Sequence, residues 1–186
     1  MEAFLTMLSL TFIALFSISL PASKDNLGEI RSSFHQSVLD ENHIGEYYQL
    51  AMQIDTENHP VKLSYKAAAY VLKAKSSSNP FQRIKLVMSY IKSIDQAVSE
   101  DPYNVEIRFL RFSIAYYLPN IFGFKKHMLE DKSTIMENIH RFDHSNLSEA
   151  FNHYIFWFVE NSGYFDEDEL VVLRYYFSSD HLTTKS

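Results

Sequence analysis

The sequence predicts an all-α domain of about seven helices, stacked as antiparallel helix pairs and preceded by a signal peptide. Three observations carry that fold class. Apolar residues recur at three- and four-residue steps in segment after segment, the pattern of helices with one buried face. Between those segments stand Asn-Pro, Asp-Pro and short acidic or amide runs, residues that start and stop helices. The 186 residues also hold only 4 glycines and 5 prolines, too few for the dense turns of a sandwich or barrel. With 46% hydrophobic and 22% charged residues, the chain has the material for one substantial core.

The chain opens with an apolar run from Met7 to Leu20, followed by Pro21 and the small residues Ala22 and Ser23. That order reads as a secretory signal peptide over residues 1–22, cleaved near Ala22 and excluded from the fold. The leading region contains Glu2 and no lysine or arginine. An uncleaved anchor over Ala3–Leu20 is therefore the alternative, since that stretch approaches the length of a membrane span. One helical domain is expected over 24–178, and residues 179–186 read as a frayed tail.

A first helix is expected around Leu27–Leu39, with Leu27, Ile30, Phe34 and Val38 at helical steps. Asp40-Glu41-Asn42 breaks it and offers N-caps for a second helix through Ile44, Tyr47, Tyr48, Ala51 and Ile54. After a polar turn at 55–59, Pro60 starts a third through Leu63, Tyr65, Ala67, Ala68 and Leu72, where the alanines let a neighbour approach closely. Lys75-Ser76-Ser77-Ser78 reads as a flexible linker.

The block from Asn79 to Asp131 is the most strongly punctuated, and the rest of the chain is organised around it. The Asn79 side chain can accept from first-turn N–H groups, and Pro80 lacks only a donor that would be orphaned anyway. The following helix places Phe81, Ile84, Val87, Met88, Ile91, Ile94, Ala97 and Val98 on a face expected to be buried. It ends before Asp101-Pro102, and Pro102 is expected to open the next helix, which runs to Leu118. That helix is apolar nearly all round, so it belongs in the middle of a bundle. Arg108 and Arg111 interrupt it, and Glu106, Glu130 and Asp131 are candidate partners for them. Pro119 stops the helix, Phe122-Gly123-Phe124 forms a loop, and a further helix spans Lys125 to His140. Ser145 or Asn146 can cap the next, through Phe151, Tyr154, Trp157 and Phe158, with Gly163 at its left-handed end. The acidic run Asp166–Glu169 favours a last helix N-terminus, and Leu170, Val171, Leu173, Tyr176 and Phe177 form the apolar face behind it.

Ala97-Val98-Ser99-Glu100-Asp101-Pro102 resembles the end of the second helix of a tetratricopeptide repeat, which closes with alanine, an aliphatic residue, two variable residues and Asp or Asn before proline. The resemblance covers one junction and implies helix pairs stacked side by side. The small residue that the repeat has in its following helix falls near Phe112. More loosely, the segment from Ile107 to Lys132 is similar to part of small exported helical proteins of Bacteroidetes, whose biochemical role is not established. That similarity implies an exported helical family and supplies no activity.

A net charge of −6 with scattered lysines and arginines leaves no basic stripe for a phosphate backbone, so no nucleic-acid partner is expected. The absence of cysteine removes disulfides, thiolate catalysis and cysteine-ligated metals. The 12 tyrosines and 15 phenylalanines are read chiefly as core. His140 and His144 have the four-residue step of a metal pair, with Asp143, Glu149 and His153 nearby, but the break at 143–146 separates them and the HExxH base is missing. The Asp166–Glu169 run lacks the alternating ligands and central glycine of a calcium loop. No metal or cofactor is expected, and no catalytic residue is assigned, since GxSxG, Walker and dinucleotide patterns are absent.

The polar candidates are Arg108, Arg111, Glu130 and Asp131, which can clamp an anion or pair with one another and hold the aromatic loop against the central helix. The expected function is a non-enzymatic protein-interaction or scaffold module in the periplasm or outside the cell. Its partner would be a protein or peptide, and it would meet a membrane only through an uncleaved N-terminal segment. The alternative is a small ligand-binding or enzymatic bundle whose interior pocket uses Arg108, Arg111, His127 or His153. Where those side chains point separates the two readings.

Overall fold

The computed structural model describes residues 27–119, 123–142 and 147–177. Outside them lie the signal peptide and the tail expected at the two ends, together with Phe122, Asp143, His144 and both expected caps, Ser145 and Asn146. Among the described residues there are eight α-helices and no strand, against about seven helices expected. They are α1 (Leu27–Leu39), α2 (Ile44–Gln53), α3 (Pro60–Ser76), α4 (Pro80–Glu100), α5 (Val105–Tyr117), α6 (Met128–Asn138), α7 (Glu149–Asn161) and α8 (Glu167–Phe177). Short 3-10 turns precede α2 and bracket α6. No helix among the described residues is long and apolar enough to cross a membrane.

Local chemistry explains most of the helix starts. The Asn79 side chain accepts from the N–H groups of Phe81 and Gln82, at 3.0 and 3.3 Å. Asn104 does the same for Glu106 and Ile107, at 3.1 and 3.2 Å. Here the structure corrects the expected start: Pro102 is exposed in the turn, and α5 begins at Val105 because Asn104 satisfies two orphan donors that a proline cannot. Ser148 caps α7 by accepting from Phe151. At α8, Asp166 and Glu169 each accept from the other's backbone N–H, a reciprocal capping box. The expected linker at 75–78 is also shorter. Lys75 and Ser76 complete α3, and the buried Ser77 donates its hydroxyl proton to Gln82.

From α1 to α6 each helix packs on the next in sequence, and α7 packs on α8. The most extensive contact is between α3 and α4, where Ala67, Ala68 and Ala69 are fully buried and let the backbones close in. α5 is the interior helix, buried on every side from Val105 to Ala115, and it meets α3, α4 and α6. Phe112 stands at the centre of an aromatic group, edge-on to Phe158, Tyr164 and Phe165. Gly123 and Gly163 hold positive φ angles of 69° and 71°, where a side chain would be strained.

One face differs from expectation. α4 buries Leu86, Val87, Tyr90, Ile94, Ala97 and Val98, but leaves Phe81 83%, Ile84 54% and Met88 56% exposed. At about 100° per residue these three form a separate stripe, turned away from the Tyr90–Ile94 side. Periodicity merges two neighbouring apolar stripes into one, whereas α3 covers only one of them. Trp157 and Val171, also expected on apolar faces, are exposed as well.

Tyr90 is fully buried beside Phe124, and its hydroxyl finds no hydrogen-bond partner among the described residues. Burial pushes its pKa well above the ordinary phenol value. A buried hydroxyl without a partner carries an uncompensated desolvation cost. Tyr90→Phe should therefore raise the unfolding free energy by about 1 kcal/mol in a urea titration; a loss of similar size would mean the hydroxyl is hydrogen-bonded in solution.

Candidate functional site

Arg108 and Arg111 are three residues apart on α5 and so share a face. Opposite them, Glu130 and Asp131 occupy the first turn of α6, where the helix dipole also favours carboxylates. Arg108 donates to Glu130 at 2.7 Å, to Asp131 at 2.9 Å and to the Pro102 carbonyl at 2.8 Å. Arg111 grips Asp131 with two nitrogens, at 2.9 Å and 2.6 Å. Asp131 is 0% exposed and each arginine 5%. Two guanidiniums thus face two carboxylates, and the cluster is neutral. A substrate anion would have to displace a buried, bidentate partner. The arrangement holds α6 on α5 and leaves no open position for chemistry.

The Arg108 hydrogen bond, aided by His127, holds the Glu130 carboxyl below its ordinary range. A depressed folded-state value means that this contribution to stability is complete above the unfolded pKa of about 4.3 and disappears as pH falls through the folded value. NMR titration of the side-chain carboxyl should place the Glu130 midpoint below that reference, and Arg108→Gln should raise it. An identical midpoint in both proteins would refute the coupling.

Glu106, the third candidate partner, does not join this cluster. It receives two hydrogen bonds from Arg31, at 2.8 and 2.6 Å, and one from the Tyr65 hydroxyl at 2.6 Å. The Tyr65 carbonyl in turn accepts from the Tyr47 hydroxyl. This buried network ties α1, α2, α3 and α5 together. Sequence reasoning missed Arg31 because it lies 75 residues from Glu106 and no local signal joins them.

The histidines stand apart. His127 lies 3.4 Å from Glu130 and the exposed His153 is 4.0 Å from Glu149, each within a single helical neighbourhood. His140 accepts from Arg141 on the exposed 3-10 turn after α6. No group of three metal-ligating side chains occurs among the described residues.

An apolar groove of about 720 Å³ with room for a ligand lies between α1, α2, α3, α4, α5 and α7. Its walls include Phe34, Val38, Val71, Ile114, Tyr117 and Tyr154, and its ionisable lining residues besides the tyrosines are Lys75 and Arg83, with no carboxylate. Burial pushes the Tyr154 pKa well up, so this wall stays neutral. Arg108, Arg111, His127 and His153 do not line the groove. A second opening of the same volume lies beside the Arg31–Glu106 pair, with a lining that includes Asp101, Glu106 and Arg141; there Asn104 donates to Asp101 at 2.9 Å. The groove could not be foreseen, because it gathers side chains from six helices. Comparison with protein-family models, curated proteins and solved structures finds no match, so the geometry itself must carry the functional reading.

Proposed function

We propose that the chain is a non-enzymatic protein-interaction module, exported to the periplasm or the cell exterior, with helix pairs stacked in a tetratricopeptide-like manner and a protein or peptide partner. The observation that carries it is the α4 stripe of Phe81, Ile84 and Met88, three large apolar side chains uncovered on one helix face. Such a patch is what a partner's apolar surface would cover. Arg108, Arg111, Glu130 and Asp131 support the non-enzymatic side of the reading by bonding with one another rather than lining a cavity. Contacts between successive helices support the paired stacking.

The test is recovery of partners with wild type and with a Phe81→Asp, Met88→Asp double variant, each compared by mass spectrometry. Both changed residues are exposed, so stability should move by no more than about 0.5 kcal/mol. A partner enriched with wild type and lost at least tenfold with the variant supports the reading; equal recovery, or none, discards it. N-terminal sequencing of the protein from its source cells tests export separately, with a new terminus expected just after Ala22. A second reading, small-ligand binding, is favoured by the apolar groove and not by the arginines and histidines singled out from the sequence.

A further inference from the structure

We infer that the groove between α1, α2, α3, α4, α5 and α7 binds a medium-chain fatty acid, with the acyl chain on the apolar floor and the carboxylate held by Arg83. This goes beyond the interaction reading and shares only Ile84 with it, since neither Phe81 nor Met88 lines the groove.

Three observations converge. The groove's volume of about 720 Å³ falls in the range of small-molecule sites, and its walls are mostly aliphatic and aromatic. The two serines of its floor make no polar demand. The Ser37 hydroxyl donates to the Ser33 carbonyl at 2.8 Å, with the His43 carbonyl as a longer alternative acceptor, and the Ser113 hydroxyl donates to the Leu110 carbonyl, so an apolar chain covers both without stranding a donor. At the lip, the charge is of one sign. Arg83 is held by its Nε, which donates to the Ser77 carbonyl, and no carboxylate lies within ion-pair distance of its guanidinium among the described residues. Lys75, the other cation, is already 2.6 Å from Glu41 on the exposed surface, so it plays the lesser part.

An apolar trough beside a positioned, unneutralised guanidinium selects an amphiphile with an anionic head. A fatty acid combines that head with a chain that needs no directional contacts. A neutral alcohol of equal length would gain the floor and lose the head, and an alkylammonium would be repelled.

The test uses the full chain and its single tryptophan, Trp157, which stacks on Tyr154 of the groove wall with ring centroids 6.4 Å apart. Octanoate, decanoate, laurate, 1-dodecanol and dodecylammonium are titrated below their micellar concentrations, by fluorescence and calorimetry. Saturable one-to-one binding is expected, tightening about fifteenfold from decanoate to laurate at roughly a factor of four per methylene. Laurate should bind about tenfold more tightly than 1-dodecanol, and Arg83→Gln should erase that preference while leaving 1-dodecanol unchanged. Val71→Trp, which fills the groove, should abolish both.

No saturable response to laurate overturns the proposal. So does equal binding of laurate and dodecylammonium, affinity insensitive to Arg83→Gln, or a response confined to phospholipid vesicles or an added amphipathic peptide. The outcome is separable from the interaction reading, because recovery of a partner through Phe81 and Met88 can succeed or fail whatever laurate does.

Discussion

Replacing Asp131 with alanine should destabilise the fold by about 3–5 kcal/mol, because it leaves two buried guanidiniums without their shared counter-charge. Asp131 is 0% exposed and accepts from both Arg108 and Arg111. After its removal Arg108 keeps Glu130 and the Pro102 carbonyl. Arg111 keeps only looser neighbours, with Glu130 at 3.6 Å and Asp95 at 3.9 Å. Against a total stability of about 5–15 kcal/mol the loss is large, and at this chain length it corresponds to a fall in Tm of about 10 °C.

Arg111→Met should cost less, about 1–2 kcal/mol, since Arg108 still neutralises Asp131. The order matters as much as the sizes. If Arg111→Met leaves stability unchanged, or Asp131→Ala costs under about 1 kcal/mol in urea unfolding, the cluster does not hold α6 on α5.

Phe112→Ala should cost a similar amount, about 3–5 kcal/mol, through lost burial and the cavity left behind. The ring is fully buried, with centroids 6.1 Å from Phe158, 5.5 Å from Tyr164 and 5.6 Å from Phe165. Those three belong to α7 and to the segment leading into α8, so one side chain ties the C-terminal pair to the interior helix. Phe112→Leu, which keeps most of the volume, should lose less than about 1.5 kcal/mol. Amide hydrogen exchange should locate the damage: in Phe112→Ala, α7 and α8 should exchange faster while the α3–α4 contact stays protected. Uniform acceleration across all helices would mean that the C-terminal pair is not docked chiefly through this ring.

Helix formation was legible because its causes are local. Asn79 with Pro80, Gly163, and the Asp166–Glu169 capping box act within one turn of chain, and each sits where its chemistry places it. The interior position of α5 was legible too, since a helix apolar nearly all round has no face to offer water. The start of α5 was misjudged where two local signals compete: Pro102 fits a first turn, but Asn104 supplies two hydrogen bonds and wins.

The candidate site was legible in part. Arg108 and Arg111 share a face, and Glu130 and Asp131 follow within 23 residues, close enough in the chain for pairing to be foreseen. Glu106 belongs to Arg31 instead, and only the return of α1 against α5 makes that choice. The exposed Phe81, Ile84 and Met88 show the same limit from the other direction. Their spacing says that they share a face and nothing about whether another helix covers it.

By itself, then, the sequence determined that this protein is helical, where most of its helices begin, and which one is interior. Those properties arise from hydrogen bonds and side-chain periodicity spanning a few residues. Only the tertiary structure decided which apolar stripe of α4 is wet, which acid each arginine meets, and that six helices leave an apolar groove with Arg83 at its lip. Burial and charge pairing depend on where distant segments come to rest, and that placement is a property of the whole packed core rather than of any stretch within it.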